Sequence, residues 1–503
     1  MIQFLGLICR LKLVVKIQNQ LKCEILDAFL ARSKKKIINI LSKLVASLHH
    51  SSKTPYSMPE QLQKLVIDNG SYTIKAGFNT GDDDGNDTSP PIKVTNAISK
   101  TKDGIIHVGN QYLSHTNNFS GIQFKRPFEQ NNLTSWETEK PIWDYTLDNL
   151  LLQTNDQSQS TSSSSSSSLQ KHKRGKVIDP DDIHLILTEQ PYQLPQLSTN
   201  TDQIIFEEYG FNKYYRCIAP SLVPFSVDTN QINDDFVLVI DSGFNSTWIV
   251  PMIYQQIHWP AVKKLPIGGN LLNGLLREMI LFRHYDISED PILINTIKES
   301  TCFISLSNYQ QDLQHKHDLM CEFVLPDFKL TITGFVKNEN SMSLQKLPND
   351  TQVLKLYDER FTVPETYFHP EIIFDNNRTT ASSSLLNNAP FKNLTDLIVE
   401  SIMACPSITQ PLLLANICLS GGSTNIPNFK TRLIGELRKE LPSNWKVNIF
   451  DKQYDINRDE LSWYGGINLS NELELLQEIS ISKKDYFEHG ANWCQQQFGF
   501  KNV

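Results

Sequence analysis

The chain carries one six-residue phrase twice, LVIDNG at 65–70 and LVIDSG at 238–243, the copies differing only at Asn69 against Ser242. Each copy reads as a buried Leu-Val-Ile strand ending in Asp, then a polar residue and a glycine that permits a tight reversal. One copy would be an ordinary strand and turn. Two copies, roughly 170 residues apart, imply a duplicated domain whose halves present Asp68 and Asp241 to one shared cleft. Paired turns of this kind suit a metal-bound nucleotide: they offer backbone N–H groups to phosphates and carboxylates to an ion's water shell. A third element, NICLSGGSTN at 416–425, is a short apolar run followed by polar turn residues. Its glycines, Gly421 and Gly422, let backbone approach a flat ligand closely. After Pro427, the spacing of Phe429, Leu433, Leu437 and Leu441 predicts a helix over 429–441.

Composition narrows the class. The 503 residues are 40% hydrophobic, as in a soluble globular protein, and the duplicated strand argues for two lobes. A net charge of −8 disfavours a whole-chain electrostatic grip on DNA. The eight cysteines are scattered with no C-x-x-C pair, which fits a reducing compartment without a disulfide framework or zinc knuckle. Each is expected to act as a small core residue.

Residues 1–57 differ from the rest, with ten Lys/Arg against two Asp/Glu. The apolar stretch 1–17 is broken by Arg10, Lys12 and Lys16, too short and too charged to span a bilayer. No small-residue cleavage site follows it. A basic amphipathic segment for anionic lipid is one reading. The preferred reading is an extension outside the fold, because Met58 opens MPEQLQKLVIDNG seven residues before the first strand. Residues 155–176, with seven serines at 162–168 and then Lys171, Lys173, Arg174 and Lys176, are expected to be a disordered loop. The Asn/Ser/Thr-rich stretch 375–390 is expected to be a surface insertion.

In order along the chain, these elements resemble the actin superfamily. LVIDNGSYTIKAGF (65–78) looks like its first phosphate loop and LVIDSGFNSTWIVP (238–251) like its second. KRPFEQNNLTSWETEKPIWDYTL within 124–147, LILTEQP (185–191), QIIFEEYGF (203–211), IKESTCFIS (297–305) and LSWYGGINL (461–469) follow the actin order. The resemblance implies an α/β fold of the actin/hexokinase/Hsp70-like class, duplicated, with two lobes around a nucleotide cleft. The small lobe would span 58–226 and the large lobe 227–460, and 461–503 would return to the small lobe. VKKLPIGGNLL (262–272), YYRCIAPSLVPF (214–225), FTVPETYFHPE (361–371) and the tail YFEHGANWCQQQFGF (486–500) are similar to the nuclear actin-related protein 6 family. Conventional actin lacks that tail.

Carried over residue by residue, the resemblance implies nucleotide contacts from Asp68, Gly70, Ser71 and Lys75, from Asp241 and Gly243, and from Gly421 and Gly422. Lys298 and Glu299 would face the nucleoside. Each has a plainer reading: the aspartates cap their turns, Lys298 and Glu299 are a surface helix pair, and the glycines allow the lobes to pack closely. The departures are more telling. Tyr72 stands where actins carry glycine, and Phe244 and Asn245 stand where they carry Asp-Gly. Ala219 replaces the water-orienting Gln, and Trp248 a nearby His. Alanine has no hydrogen-bonding side chain and indole only donates, so neither supplies acid–base help, which typically contributes roughly 10²–10⁴-fold. The expectation is an actin fold with no catalytic residue and no metal held by the protein, keeping ATP as a structural ligand without hydrolysing it.

That family also implies a setting: the nucleus, in an SWR-type remodeller that exchanges an ordinary histone dimer for one carrying the Z variant. The expected partners are the helicase-like motor subunit, a zinc-finger HIT subunit and, through the complex, the nucleosome, with no membrane. Trp136, Trp143, Trp463, Trp493, Phe498 and Phe500 are candidate interface anchors, with core packing as the alternative for Trp143 and Trp463. A filament-forming actin is disfavoured because 94–122 does not resemble actin's longitudinal-contact loop. A chaperone or sugar kinase of this fold would need intact phosphate loops.

Overall fold

The computed structural model describes residues 62–80, 89–115, 119–159, 179–227, 235–306, 309–328, 332–337, 352–373, 392–450 and 456–499. The basic extension 1–57, the insertion 375–390 and Phe500 lie outside the described residues.

Each LVID phrase becomes the central strand of its own sheet. In the first, β1 (Gln63–Asn69) pairs antiparallel with β2 (Thr73–Phe78), which pairs with β3 (Ile92–Thr95). On its other side β1 runs parallel to β4 (Ile183–Glu189), and β4 to β5 (Lys213–Ile218). The second sheet repeats the scheme. Here β6 (Phe236–Ser242) pairs antiparallel with β7 (Thr247–Ile253), which carries the short β8 (Gln256–Ile257) and β9 (Lys263–Leu265). Strand β6 then runs parallel to β10 (Ile417–Ser420), and β10 to β11 (Ile449–Phe450). The chain re-enters the first sheet at β12 (Ile481–Ser482), beside β5. The runs Leu65-Val66-Ile67 and Leu238-Val239-Ile240 are buried on both faces, as continuous apolar strands in covered sheets must be. The two hairpins share one register: Asp68 sits opposite Lys75, and Asp241 opposite Trp248.

Helix α1 (Trp136–Gln159) covers the first sheet. It runs into the segment 155–176 that the sequence marks as a loop, through Gln159. Extending a helix that tertiary packing has already nucleated costs little, so polar residues follow the buried Trp136, Ile142, Trp143 and Leu150. Residues 160–178 lie outside the described residues. Helix α2 (Ala219–Leu222) follows β5 and leads to the second lobe, where α3 (Gly269–Arg283), α4 (Pro291–Thr301) and α5 (Phe429–Glu440) pack their buried residues with those of the second sheet. Phe429, Leu433 and Leu437 of α5 are buried at the spacing read from sequence, while Leu441 falls just past the helix as its cap.

Three of the candidate anchors are core. Trp143 and Trp463 are 1% and 0% exposed, and Trp136 is also buried. Trp463 lies on α6 (Leu461–Asn471), donates its indole N–H to the Val66 carbonyl at 3.2 Å and packs against Gly77. It belongs to a small cluster with Val66, Ile186, Leu222 and Ile467 that packs on the face of the first sheet opposite α1. The tail folds as α7 (Lys483–His489) and α8 (Ala491–Phe498) on the first sheet. There Tyr486 stacks on Phe206 at 4.6 Å, and Phe498 meets Tyr214 edge-on at 5.5 Å. The described cysteines are unpaired, and burial pushes the Cys302, Cys418 and Cys494 thiols up to about 12. Among the described residues no helix is long and apolar enough to cross a membrane.

Candidate functional site

The two hairpin turns face each other across a cavity of about 510 Å³ between the lobes. Asp68, Gly70, Ser71, Lys75, Asp241, Gly243, Lys298, Glu299, Gly421 and Gly422 all line it, and so do Tyr72, Ala219, Phe244, Asn245 and Trp248. Residues separated by more than 350 positions thus share one site because two strands of like sequence end at the same level.

Asp68 does not cap its turn with its side chain. One carboxylate oxygen accepts from Lys75 Nζ at 3.0 Å and the other from Thr188 Oγ1 at 2.7 Å. Thr188 also accepts the Asn69 backbone N–H, so β4 fixes the turn from behind. Burial acts to lower the Lys75 ammonium, but Asp68, Asp459 and Asp241 outweigh it and the net shift is upward. Burial, with Asp68 nearby, raises the Asp241 carboxyl to about 6. Lys298 is buried on the face of α4 shared with Ile294, Ile297 and Thr301, and its Nζ donates to the Gly269 carbonyl at 3.3 Å. Burial lowers it to about 8. Glu299 is exposed at the cavity rim, bound by Asn295 at 2.8 Å, so the pair splits between interior and mouth.

The glycines also divide. Gly421 has φ +86°, and a Cβ there would lie 2.3 Å from the Ser242 carbonyl oxygen, so only glycine lets the third loop touch the second turn. At Gly70 a Cβ would meet the Thr73 carbonyl at 2.6 Å. Gly243 and Gly422 have room for a side chain, the nearest atoms being 3.8 and 4.0 Å away. The GGN of VKKLPIGGNLL opens α3, whose Gly269 and Asn270 N–H groups bond the carbonyls of Gly243 and Phe244 at 3.0 and 2.7 Å. The second turn therefore serves as the cap of that helix.

Between the two turns the substitutions meet. The Tyr72 ring, in the first turn, lies 4.7 Å from the Phe244 ring in the second, and Arg126 sits over both at 4.5 and 5.0 Å. Ala219, at the start of α2, presents only a methyl group to the cavity. Trp248 is buried, its Nε1 without a hydrogen-bond partner among the described residues. Lys264 lies 5.2 Å over the Trp248 ring, which separates the main cavity from a second one of about 340 Å³.

These residues fit a nucleotide unevenly. The nucleoside end is open: a buried ammonium whose described hydrogen bond is to a carbonyl, and glycine backbone at the wall. The phosphate end is narrowed, because the Tyr72 and Phe244 rings meet between the two turns. Among the described residues no cluster of three potential ligands for a metal ion is assembled.

Sequence reading missed Arg126, Thr188, Gln190 and Asn131. Gln190 brings an amide to the cavity, and Asn131 Nδ2 donates to Ser246 Oγ at 2.8 Å across the lobes. They lie in segments with no repeated phrase, where only tertiary folding reveals their role. Thr188 alone carried a signal, as the polar residue ending the apolar run Leu185–Leu187.

The family model described as Actin matches residues 59–499. The chain is 98% identical to Actin-like protein ARP6 of Candida albicans over 446 residues, 89% of this chain and all of that protein. To Actin-like protein ARP6 of Debaryomyces hansenii it is 55% identical over 443 residues, covering 88% and 99%. To that of Saccharomyces cerevisiae it is 34% identical over 478 residues, covering 87% and 98%.

Proposed function

The chain belongs to the actin superfamily and, within it, to the Actin-like protein ARP6 family found in fungi; on that premise we propose that it is a non-hydrolysing structural subunit of an SWR-type remodeller. In this reading it works in the nucleus, where a helicase-like motor subunit supplies the hydrolysis and exchanges histone dimers for those carrying the Z variant. It holds a zinc-finger HIT partner and a segment of the motor, and meets the nucleosome through the complex. A nucleotide in its cleft is a structural ligand that stabilises the lobes by mass action.

The observation that carries the reading is the state of the cleft. The scaffold around Asp68, Lys75 and Lys298 persists, while Ala219 and Trp248 leave an attacking water without the expected helpers and rings stand between the phosphate turns. Binding is the asset that remains. A surface suited to it lies at the end of α3, where Leu281, Phe282 and Tyr285 are exposed, Phe282 by 89%.

The test is purification of the tagged chain from nuclear extract, together with deletion of its gene. Motor and HIT-finger subunits are expected to co-purify, and deletion should release the HIT-finger partner and lower the Z variant at promoters. An intact motor complex with normal variant occupancy in the deletion strain contradicts the proposal.

A further inference from the structure

We propose that Tyr72, Phe244 and Arg126 form a clasp in the place of a terminal phosphate, so that the cleft selects a nucleoside diphosphate over a nucleoside triphosphate. The inference rests on the reading of the cleft as a non-hydrolytic nucleotide site, and narrows the expected ATP to its diphosphate.

A terminal phosphate held by two facing turns must lie between them, within hydrogen-bond reach of backbone N–H groups on both. Here the side chains of Tyr72 and Phe244 meet across that gap with centroids 4.7 Å apart. The Arg126 guanidinium does not stand in as a phosphate ligand. It is stacked over both rings, and its Nη1 donates to the carbonyls of Ser71, Tyr72 and Asn96 at 3.3, 3.1 and 3.1 Å. The glycine N–H groups of the turns point inward as well, Gly70 to the Asp68 carbonyl at 3.0 Å and Gly243 to the Ser246 carbonyl at 3.1 Å. Charge works in the same direction. Asp68, Asp241, Glu299 and Asp459 line the cavity, against Lys75, already paired with Asp68, and Lys298. Each added phosphate brings more negative charge to an acid-rich wall. The opposite end, with Lys298 and the third loop, keeps its room.

The test is calorimetric titration of the pure full chain with ADP and with ATP, each with Mg²⁺, on wild type, on Tyr72→Gly/Phe244→Ala and on Tyr72→Phe. Wild type is expected to bind ADP about tenfold or more tighter than ATP. The double variant should shrink that ratio to about threefold or less by gaining affinity for ATP. Tyr72→Phe keeps the ring and should keep the preference, which guards against a double variant that fails to fold. Equal affinities in wild type, a preference lost in Tyr72→Phe, or a preference untouched in a folded double variant overturns the clasp. Binding of neither nucleotide to wild type also overturns it, but leaves the structural-subunit proposal standing, since that one fails on co-purification and phosphate release.

Discussion

Glu139 shows how much a single side chain behind the site can weigh. It is fully buried below the first turn, where its Oε1 accepts from the Trp143 indole at 3.0 Å while Oε2 has no partner among the described residues. Burial raises its carboxyl from the usual 4.5 to about 7. The folded chain therefore holds a proton that the unfolded chain has lost between those two values, and stability falls as pH rises through that window. Glu139→Gln removes the titration and keeps the acceptor. Its Tm is expected to exceed that of wild type at pH 8, by at most about 3 kcal/mol of stability, with the advantage gone below about pH 4.5. Thermal melts across this range check it, and a variant less stable at every pH would refute the assignment. At this scale the sequence was legible where a residue belonged to a repeated phrase. Asp68 and Asp241 could be placed because their strands are copies, whereas Arg126 reaches the cleft from a loop that no periodicity marks.

Helix crossings are where the sequence was least legible. The strands β1 and β6 and the spacing of α5 could be read directly, because periodicity is local. Trp136, Trp143 and Trp463 could not be told from interface anchors, because a large aromatic side chain serves a core and an interface equally well. The α6 glycines carry the same lesson. A Cβ on Gly465 would lie 1.9 Å from the Leu222 carbonyl oxygen, and one on Gly466 2.6 Å from Val66 Cγ1, so α6 meets the backbone of α2 and the Val66 side chain of β1. Gly435 in α5 has no atom within 4 Å of such a Cβ. Gly465→Ala is expected to destabilise by more than about 2 kcal/mol, as overpacking against backbone does. Gly435→Ala should stabilise by about 0.5–1 kcal/mol. Denaturant midpoints of the two variants decide it, and equal effects would refute the packing described for α6.

For the whole molecule, two lobes of duplicated topology are tied across the cleft by protein contacts: the Tyr72–Phe244–Arg126 clasp, Asn131 to Ser246, and Lys93 with Asp459 at 2.8 Å. Under the proposed function a partner subunit would meet a surface already set by the chain. Phe282→Ala should leave Tm nearly unchanged, since an exposed side chain contributes within about 0.5 kcal/mol. The same change should weaken retention in the complex by about 2 kcal/mol or more if Phe282 anchors a partner. Pull-down of the motor and HIT-finger subunits by the variant checks this, and undiminished retention would remove the α3 surface from the interface. In the proposed reading an actin fold has kept its cleft without its chemistry. The most direct measurement is steady-state phosphate release from ATP by the pure full chain, beside Asp241→Ala. No release above background is expected for either protein. Steady release by the wild-type chain that Asp241→Ala abolishes would contradict that reading.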